Sequence, residues 1–200
     1  MRKMIIAAAI AGATVAASAQ AETYGKLFGG AVYGGDHDIA AAIPGIGTGF
    51  GELDTDTGFV AGGAYGVNAS DFLSFESELA YRSNNIDSGV VAGVPFDGDG
   101  DLNALSFMGN AILKAPGANG FTPYAGAGAG GVRLAAVNDD DIVFAYQAFG
   151  GVSKDVSSNV SAGLEYRYLD ANEATLTDSL GAINTEYDSH SVNLVLTRRF

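Results

Sequence analysis

The chain has 200 residues with 23 acidic against 10 basic side chains, a formal net charge of −13. That excludes nucleic acid as a partner, because such binding needs a basic footprint. With no cysteine there is no disulfide and no thiolate metal site. Hydrophobic residues make up 48% of the chain, yet beyond its first residues no stretch approaches the roughly 18 apolar residues of a membrane-spanning helix.

Residues 1–21 read as a leader. Arg2 and Lys3 form a charged start, Met4–Ala17 is an apolar run, and Ala17-Ser-Ala19 and Ala19-Gln-Ala21 are overlapping small-residue cleavage sites. The spacing predicts a signal-peptidase site at Ala19 and Ala21 with cleavage after Ala21. An exported domain is then expected over 22–200, and losing Arg2 and Lys3 makes it more acidic still.

The first strand, Tyr24–Tyr33, puts Leu27, Ala31 and Tyr33 on one parity. An acidic loop is expected over Gly34–Asp56. The second strand, Thr57–Val67, carries Phe59, Ala61, Tyr65 and Val67 on one face, and Asn68–Asp71 is a tight polar turn. The third strand has the clearest alternation. Leu73, Phe75, Leu79 and Tyr81 face one way, while Ser74, Glu76, Glu78, Ala80 and Arg82 face the other. In a water-soluble sheet the first face would be core; in a membrane barrel the sense reverses, with apolar residues toward lipid and charges inward.

A second acidic loop is expected over Ser83–Asp101. The fourth strand, Leu102–Lys114, sets Leu105, Phe107, Ala111 and Leu113 outward, with Ser106, Asn110 and Lys114 inward. Ala115–Gly120, with its Pro-Gly pair, reads as a short turn. The fifth strand opens Phe121-Thr-Pro-Tyr-Ala-Gly-Ala-Gly-Ala129, small residues that would make room inside a narrow barrel for long charged side chains from the opposite wall. After the short loop Ala136–Asp141, the sixth strand, Ile142–Val152, sets Phe144, Tyr146, Ala148 and Val152 against Gln147 and Phe149. Ser153–Asn159 turns the chain. The seventh strand places Val160, Ala162, Leu164, Tyr166 and Tyr168 outward and Ser161, Gly163, Glu165 and Arg167 inward. A last acidic loop, Asp170–Asp188, precedes the closing strand, where Val192, Leu194 and Leu196 alternate with polar residues and the chain ends on Phe200.

These eight segments each have about the 9–11 residues that cross a bilayer. The four loops following the odd-numbered strands hold seventeen of the 23 acidic residues and not one Lys or Arg. Lys26, Lys114, Lys154, Arg198 and Arg199 stand toward the other ends of the strands. The expected fold is all-β, an antiparallel eight-stranded transmembrane up-and-down β-barrel.

With the strands placed, the chain resembles the small eight-stranded outer-membrane barrels of the OmpA-type or opacity-type group, often called porin-like. The resemblance rests on Asn103-Ala-Leu-Ser-Phe-Met-Gly-Asn110, Phe121-Thr-Pro-Tyr-Ala-Gly-Ala-Gly128, Tyr146-Gln-Ala-Phe-Gly-Gly151, Leu164-Glu-Tyr-Arg-Tyr168 and the terminal aromatic. Val192, Leu194, Leu196 and Phe200 resemble the C-terminal insertion signal of such barrels, with Arg198 standing where an apolar or aromatic residue is usual. The resemblance implies residence in the bacterial outer membrane as a monomer. It implies outer-membrane lipid, lipopolysaccharide and the barrel-assembly machinery as partners. No cofactor and no enzymatic activity are expected. The resemblance does not imply a particular extracellular ligand. A structural or surface-interaction role is expected, the alternatives being a narrow porin-like channel and, behind it, a lipid-modifying barrel.

Candidate sites follow from the same pattern. Glu76, Glu78, Arg82, Glu165 and Arg167 form an inward charge network, and in an eight-stranded barrel such charges are expected to pair and fill the lumen. Arg82 and Arg167 are expected to be held by the three carboxylates. Asp97-Gly-Asp-Gly-Asp101 has carboxylates at alternate positions suited to a hard cation, but Leu102 and Met108 occupy the places of the Gly and the bidentate Glu of a calcium loop, so a solvated acidic loop is expected. His190 lies on the lipid-facing parity, but its neighbour Ser191 points the other way, so no nucleophile and base are expected to meet there. His37 has no second ligand at metal spacing.

Overall fold

The structure, a computed structural model, describes the backbone of residues 22–34, 37–43, 47–55, 57–91, 94–136, 139–178 and 181–200. Side chains are described for 22–33, 57–84, 103–134, 142–172 and 187–200. The leader expected over 1–21, with Ala19 and Ala21, lies outside these residues. So do the side chains of His37 and of Asp97–Asp101.

Among the described residues ten strands run β1 (Thr23–Gly34), β2 (His37–Ile43), β3 (Gly47–Thr55), β4 (Gly58–Asn68), β5 (Leu73–Val91), β6 (Val94–Lys114), β7 (Phe121–Ala136), β8 (Asp139–Asp155), β9 (Val160–Asp178) and β10 (Gly181–Arg199). All pairings are antiparallel, and the sheet closes where Tyr24 to Gly34 of β1 pair with Arg199 to Ser189 of β10. Closure leaves the apolar face no unpaired edge, a requirement inside a bilayer. The wall is therefore β1-β4-β5-β6-β7-β8-β9-β10, an eight-stranded up-and-down barrel.

The two additional strands lie in the segment expected as the loop Gly34–Asp56. They form a hairpin whose β2 side pairs with β10 (Ile39 with Thr185) and whose β3 side pairs with β5 (Leu53 with Gly89). These are the same neighbours that β1 and β4 have lower down, so the hairpin continues two staves rather than adding new ones. The expected loops Ser83–Asp101 and Asp170–Asp188 are likewise largely strand, since β5 reaches Val91, β6 starts at Val94, β9 reaches Asp178 and β10 starts at Gly181. Asp- and Gly-rich composition suggests loop, but a stave whose neighbours continue keeps satisfying its backbone groups by pairing.

The stagger of the wall follows from register. Stepping across hydrogen-bonded partners from Tyr24 leads through Gly66, Glu76, Asn110, Gly128, Gln147, Leu169 and Ser189 back to β1 at Gly34, ten residues above the start. Ten residues of climb around eight strands corresponds to a tilt of about 40°. Short turns close the end opposite the hairpin. Asn119 and Gly120 both have positive φ, 54° and 80°, and Ala118 and Phe121 exchange two backbone hydrogen bonds across them at 2.9 and 3.0 Å. This is a two-residue hairpin turn of the Asn-Gly kind, so the chain reverses at Asn119-Gly120 and not at the preceding Pro116-Gly117.

Parity sorts side chains as expected for a membrane wall. Leu27, Phe59, Tyr65, Leu79, Phe107, Leu113, Phe144, Leu164 and Leu194 point outward and are exposed, whereas Lys26, Glu76, Glu78, Arg82, Glu165 and Arg167 point inward and are buried. Apolar side chains fill the lumen toward the long-strand end, among them Met108, Val132, Leu134, Leu169 and Tyr187.

The luminal glycines carry a specific packing role. Phe28 is paired across the wall with Gly62 and Phe149 with Gly126. A Cβ on Gly62 would come 2.4 Å from Phe28 Cζ, and one on Gly126 would come 2.5 Å from Phe149 Cζ. Each ring is packed against its glycine, and on β7 Gly126 makes room for the Phe149 ring while Gly128 makes room for Asn110, so these small residues accommodate neighbours on adjacent strands rather than a charge from the opposite wall. Gly126→Val is expected to destabilise the barrel by about 1–3 kcal/mol through overpacking. Ala127→Val, one residue along on the outward face, is expected to change little. Urea unfolding of the refolded protein compares them, and equal stability of the two variants would contradict this packing.

Candidate functional site: a charged layer inside the barrel

In the wall order β5 and β9 stand diametrically opposite, with three strands between them on either side. The inward parity of β5 presents Glu76 and Glu78, that of β9 presents Glu165 and Arg167, and that of β1 presents Lys26. All five are buried, with relative exposure of 5% or less.

Arg167 joins the two walls. Its Nη1 donates to Glu78 Oε1 across the lumen, and its Nε and Nη2 donate to Glu165 Oε1 at 3.1 and 2.7 Å. The guanidinium lies between two aromatic faces, 4.7 Å from the centroid of Phe28 and 4.6 Å from that of Phe149. These are the rings seated on Gly62 and Gly126. Lys26 is the second cation, its Nζ 3.2 Å from both Glu76 Oε2 and Glu165 Oε2.

Neutral donors complete the carboxylates. Tyr24 donates to Glu76 at 2.9 Å, Tyr124 to Glu165 at 3.1 Å, and Asn110 and Gln147 to Glu78 at 3.0 and 3.2 Å. Tyr24 and Tyr124 again lie opposite glycines, Gly66 and Gly151. Three carboxylates thus face two cations, and the remaining oxygen lone pairs are met by hydroxyls and amides. A buried ion cluster is tolerable only with such completion, since desolvation of each ion costs several kcal/mol.

Glu76, Glu78, Glu165 and Arg167 are therefore brought together, and Arg82 is not. It is buried, but among the described residues Nη1 donates only to Ser106 Oγ at 2.8 Å, and its Nε and Nη2 have no hydrogen-bond partner. No carboxylate of the described residues pairs with it. Lys26 was the member that sequence reasoning missed, having been placed among the bases at the strand ends. The signal was present: Lys26 shares parity with Tyr24 and Phe28, opposite Leu27.

The other candidates occupy separate places. Val192, Leu194 and Leu196 form an exposed outward stripe on β10, Phe200 just beyond its end is exposed too, and the Phe200 N–H donates to Thr23 O at 2.9 Å across the closing seam. Arg198 lies over the Phe200 ring at 5.9 Å. His190 is outward, with its Nδ1 2.6 Å from the Tyr166 hydroxyl and its Nε2 3.9 Å from Asp188. Ser191 faces the lumen and is buried, so it does not meet His190. Among the described residues no cluster of three His, Cys, Asp or Glu side chains is placed to hold a metal ion.

A closed antiparallel wall with an apolar exterior and a charged interior defines an outer-membrane-type β-barrel. Residues 5–200 match the outer membrane protein beta-barrel domain, and the chain belongs to that family, so it is a bacterial outer-membrane protein. The outer membrane protein OprG from Pseudomonas aeruginosa superposes with a TM-score of 0.62 at 12% identity, covering 88% of this chain and 96% of that one. Neisserial surface protein A (NspA) superposes with a TM-score of 0.55 at 17% identity, covering 89% and 97%. At these identities the likeness is one of fold. No curated protein matches the sequence.

The barrel interior makes opposite demands on Arg167 and Arg82. Arg167→Ala strands Glu78 and Glu165 and is expected to cost about 3–5 kcal/mol, the usual penalty for breaking a buried pair. Arg82→Met removes a guanidinium with two unpartnered N–H groups and is expected to leave stability unchanged or raised, because unsatisfied buried donors are themselves costly. Urea denaturation of both variants checks this. Equal losses would show that both arginines belong to the ion-paired layer.

Proposed function

We propose that this protein is a closed outer-membrane barrel with a structural or surface-interaction role, its lumen blocked to ions by the charged layer. The observation that carries the reading is the continuous chain of buried contacts from Glu78 on β5 through Arg167 to Glu165 on β9, with Lys26 joining Glu165 to Glu76. Apolar side chains pack above this layer toward the long-strand end. An eight-stranded barrel has room for little more than its own side chains.

In this reading the short turns Asn68–Asp71, Ala115–Gly120 and Ser153–Asn159 face the periplasm, and the acidic ends of the long staves face outward, as is usual for such barrels. A strongly negative outer rim would repel anionic surfaces and favour basic partners or shared divalent cations. A narrow channel is the second reading. It is favoured by a pocket that opens the lumen from the short-turn end as far as Lys26 and Glu76. A lipid-modifying role has less support, because Ser191 and His190 lie on opposite faces of the wall.

Conductance in planar bilayers separates the first two readings. The wild-type barrel is expected to give no steady current, and Arg167→Ala, by opening the bridge between the walls, is expected to conduct if it folds. Steady conductance of the wild type would overturn the closed-barrel reading in favour of the channel. Protease added to intact cells tests the orientation, with cleavage at Asn68–Asp71 being the result that reverses it.

A further inference from the structure

Below the charged layer, the lumen contains a pocket of about 120 Å³. One water needs roughly 10–15 Å³ by the same kind of measure, so the space exceeds what a single bridging water requires. Its closed end is formed by Lys26 and Glu76, its sides by Tyr24 and Tyr124, and its mouth by Lys114 and Arg199 among the short turns. The two carboxylates on its lining are already engaged. Glu76 accepts from Lys26 and Tyr24, and Asp155 accepts both terminal nitrogens of Arg199 at 3.1 Å.

Lys114 is engaged differently. Its ammonium donates to Asn68 Oδ1 at 2.8 Å and lies over the Tyr24 ring at 5.1 Å. Among the described residues no carboxylate is in ion-pairing range of it. An ammonium has three donors, so a half-buried cation with one acceptor among the described residues is left facing the pocket. Thr122, Ser161 and Thr197 line the same space and can donate as well.

We propose that this pocket binds a small oxyanion, a carboxylate or phosphate, held by the Lys114 ammonium with support from the pocket hydroxyls. The local chemistry is the reverse of the rest of the molecule. In a chain of net charge −13, the pocket lining carries three cations, Lys26, Lys114 and Arg199, against two carboxylates, Glu76 and Asp155. In the closed-barrel reading the charged layer closes the inner end, so the ligand enters and leaves by the same mouth; in the channel reading the ligand binds in the vestibule of the passage. The site does not depend on which reading of the lumen above it is correct.

The test is a titration of the refolded barrel with inorganic phosphate and, separately, acetate at constant ionic strength, following the Lys114 side chain by NMR with carbon-13-labelled lysine. A saturable one-site shift at Lys114 is expected, with Lys154, which lies outward over Phe121 at 4.8 Å, unaffected. Lys114→Gln is expected to weaken binding about tenfold or abolish it, by loss of a charge-assisted hydrogen bond. Lys114→Arg is expected to retain it. Saturation by acetate alone assigns a carboxylate ligand, and saturation by phosphate alone a phosphate. Absence of a saturable shift with either anion overturns the proposal without need of a variant. So does binding that persists unchanged in Lys114→Gln.

Discussion

Burying Arg167 is the constraint on which the interior of this barrel depends. A guanidinium enclosed by protein on all sides is tolerated only where carboxylates, hydrogen bonds and polarisable faces replace its water. Here Glu78 reaches it from one wall, Glu165 from the other, and Phe28 and Phe149 cover its two faces. The rings can lie against it because they rest on Gly62 and Gly126. A sequence feature that looks like low complexity, alternating Ala and Gly on β7, is in this way tied to the charged layer: Gly126 is inward for the ring and Gly128 for Asn110, with alanine outward for lipid.

The same logic organises the rest of the layer. Tyr24 and Tyr124 each sit opposite a glycine and each donate to a carboxylate that Lys26 bridges. Aromatic residues thus serve the lumen twice, as platforms for a cation and as donors to anions. The lipid-facing side needs no such matching, since leucine and phenylalanine there meet a fluid solvent of their own polarity. Specificity of structure is concentrated inside, on the polar parity, the inverse of a soluble sheet.

Much of this was legible in the sequence because the barrel imposes a strict period of two. The alternation of Leu73 to Tyr81 against Ser74 to Arg82 places each residue without ambiguity, as does that of Val160 to Tyr168, and a one-residue slip would move every charge into lipid. What was not legible has physical causes. The long acidic segments read as loops because Asp and Gly disfavour strands on average, yet β5, β6, β9 and β10 continue through them on neighbouring backbone. The partnership of Lys26 with Glu76 and Glu165, and the separation of Arg82 from all three carboxylates, depend on the stagger of the wall. Parity fixes the face a residue takes but not its height, and height comes from the ten-residue climb that only closure reveals.

The coupling between Arg167 and Glu78 joins the two walls across the lumen, and a double-mutant cycle measures it directly. Unfolding free energies of wild type, Arg167→Met, Glu78→Gln and the double variant should show an interaction energy of about 1–3 kcal/mol, with the double variant no less stable than Arg167→Met alone. Additive effects, with a coupling near zero, would mean that the two walls are not joined by this pair and that the charged layer does not hold the barrel interior together.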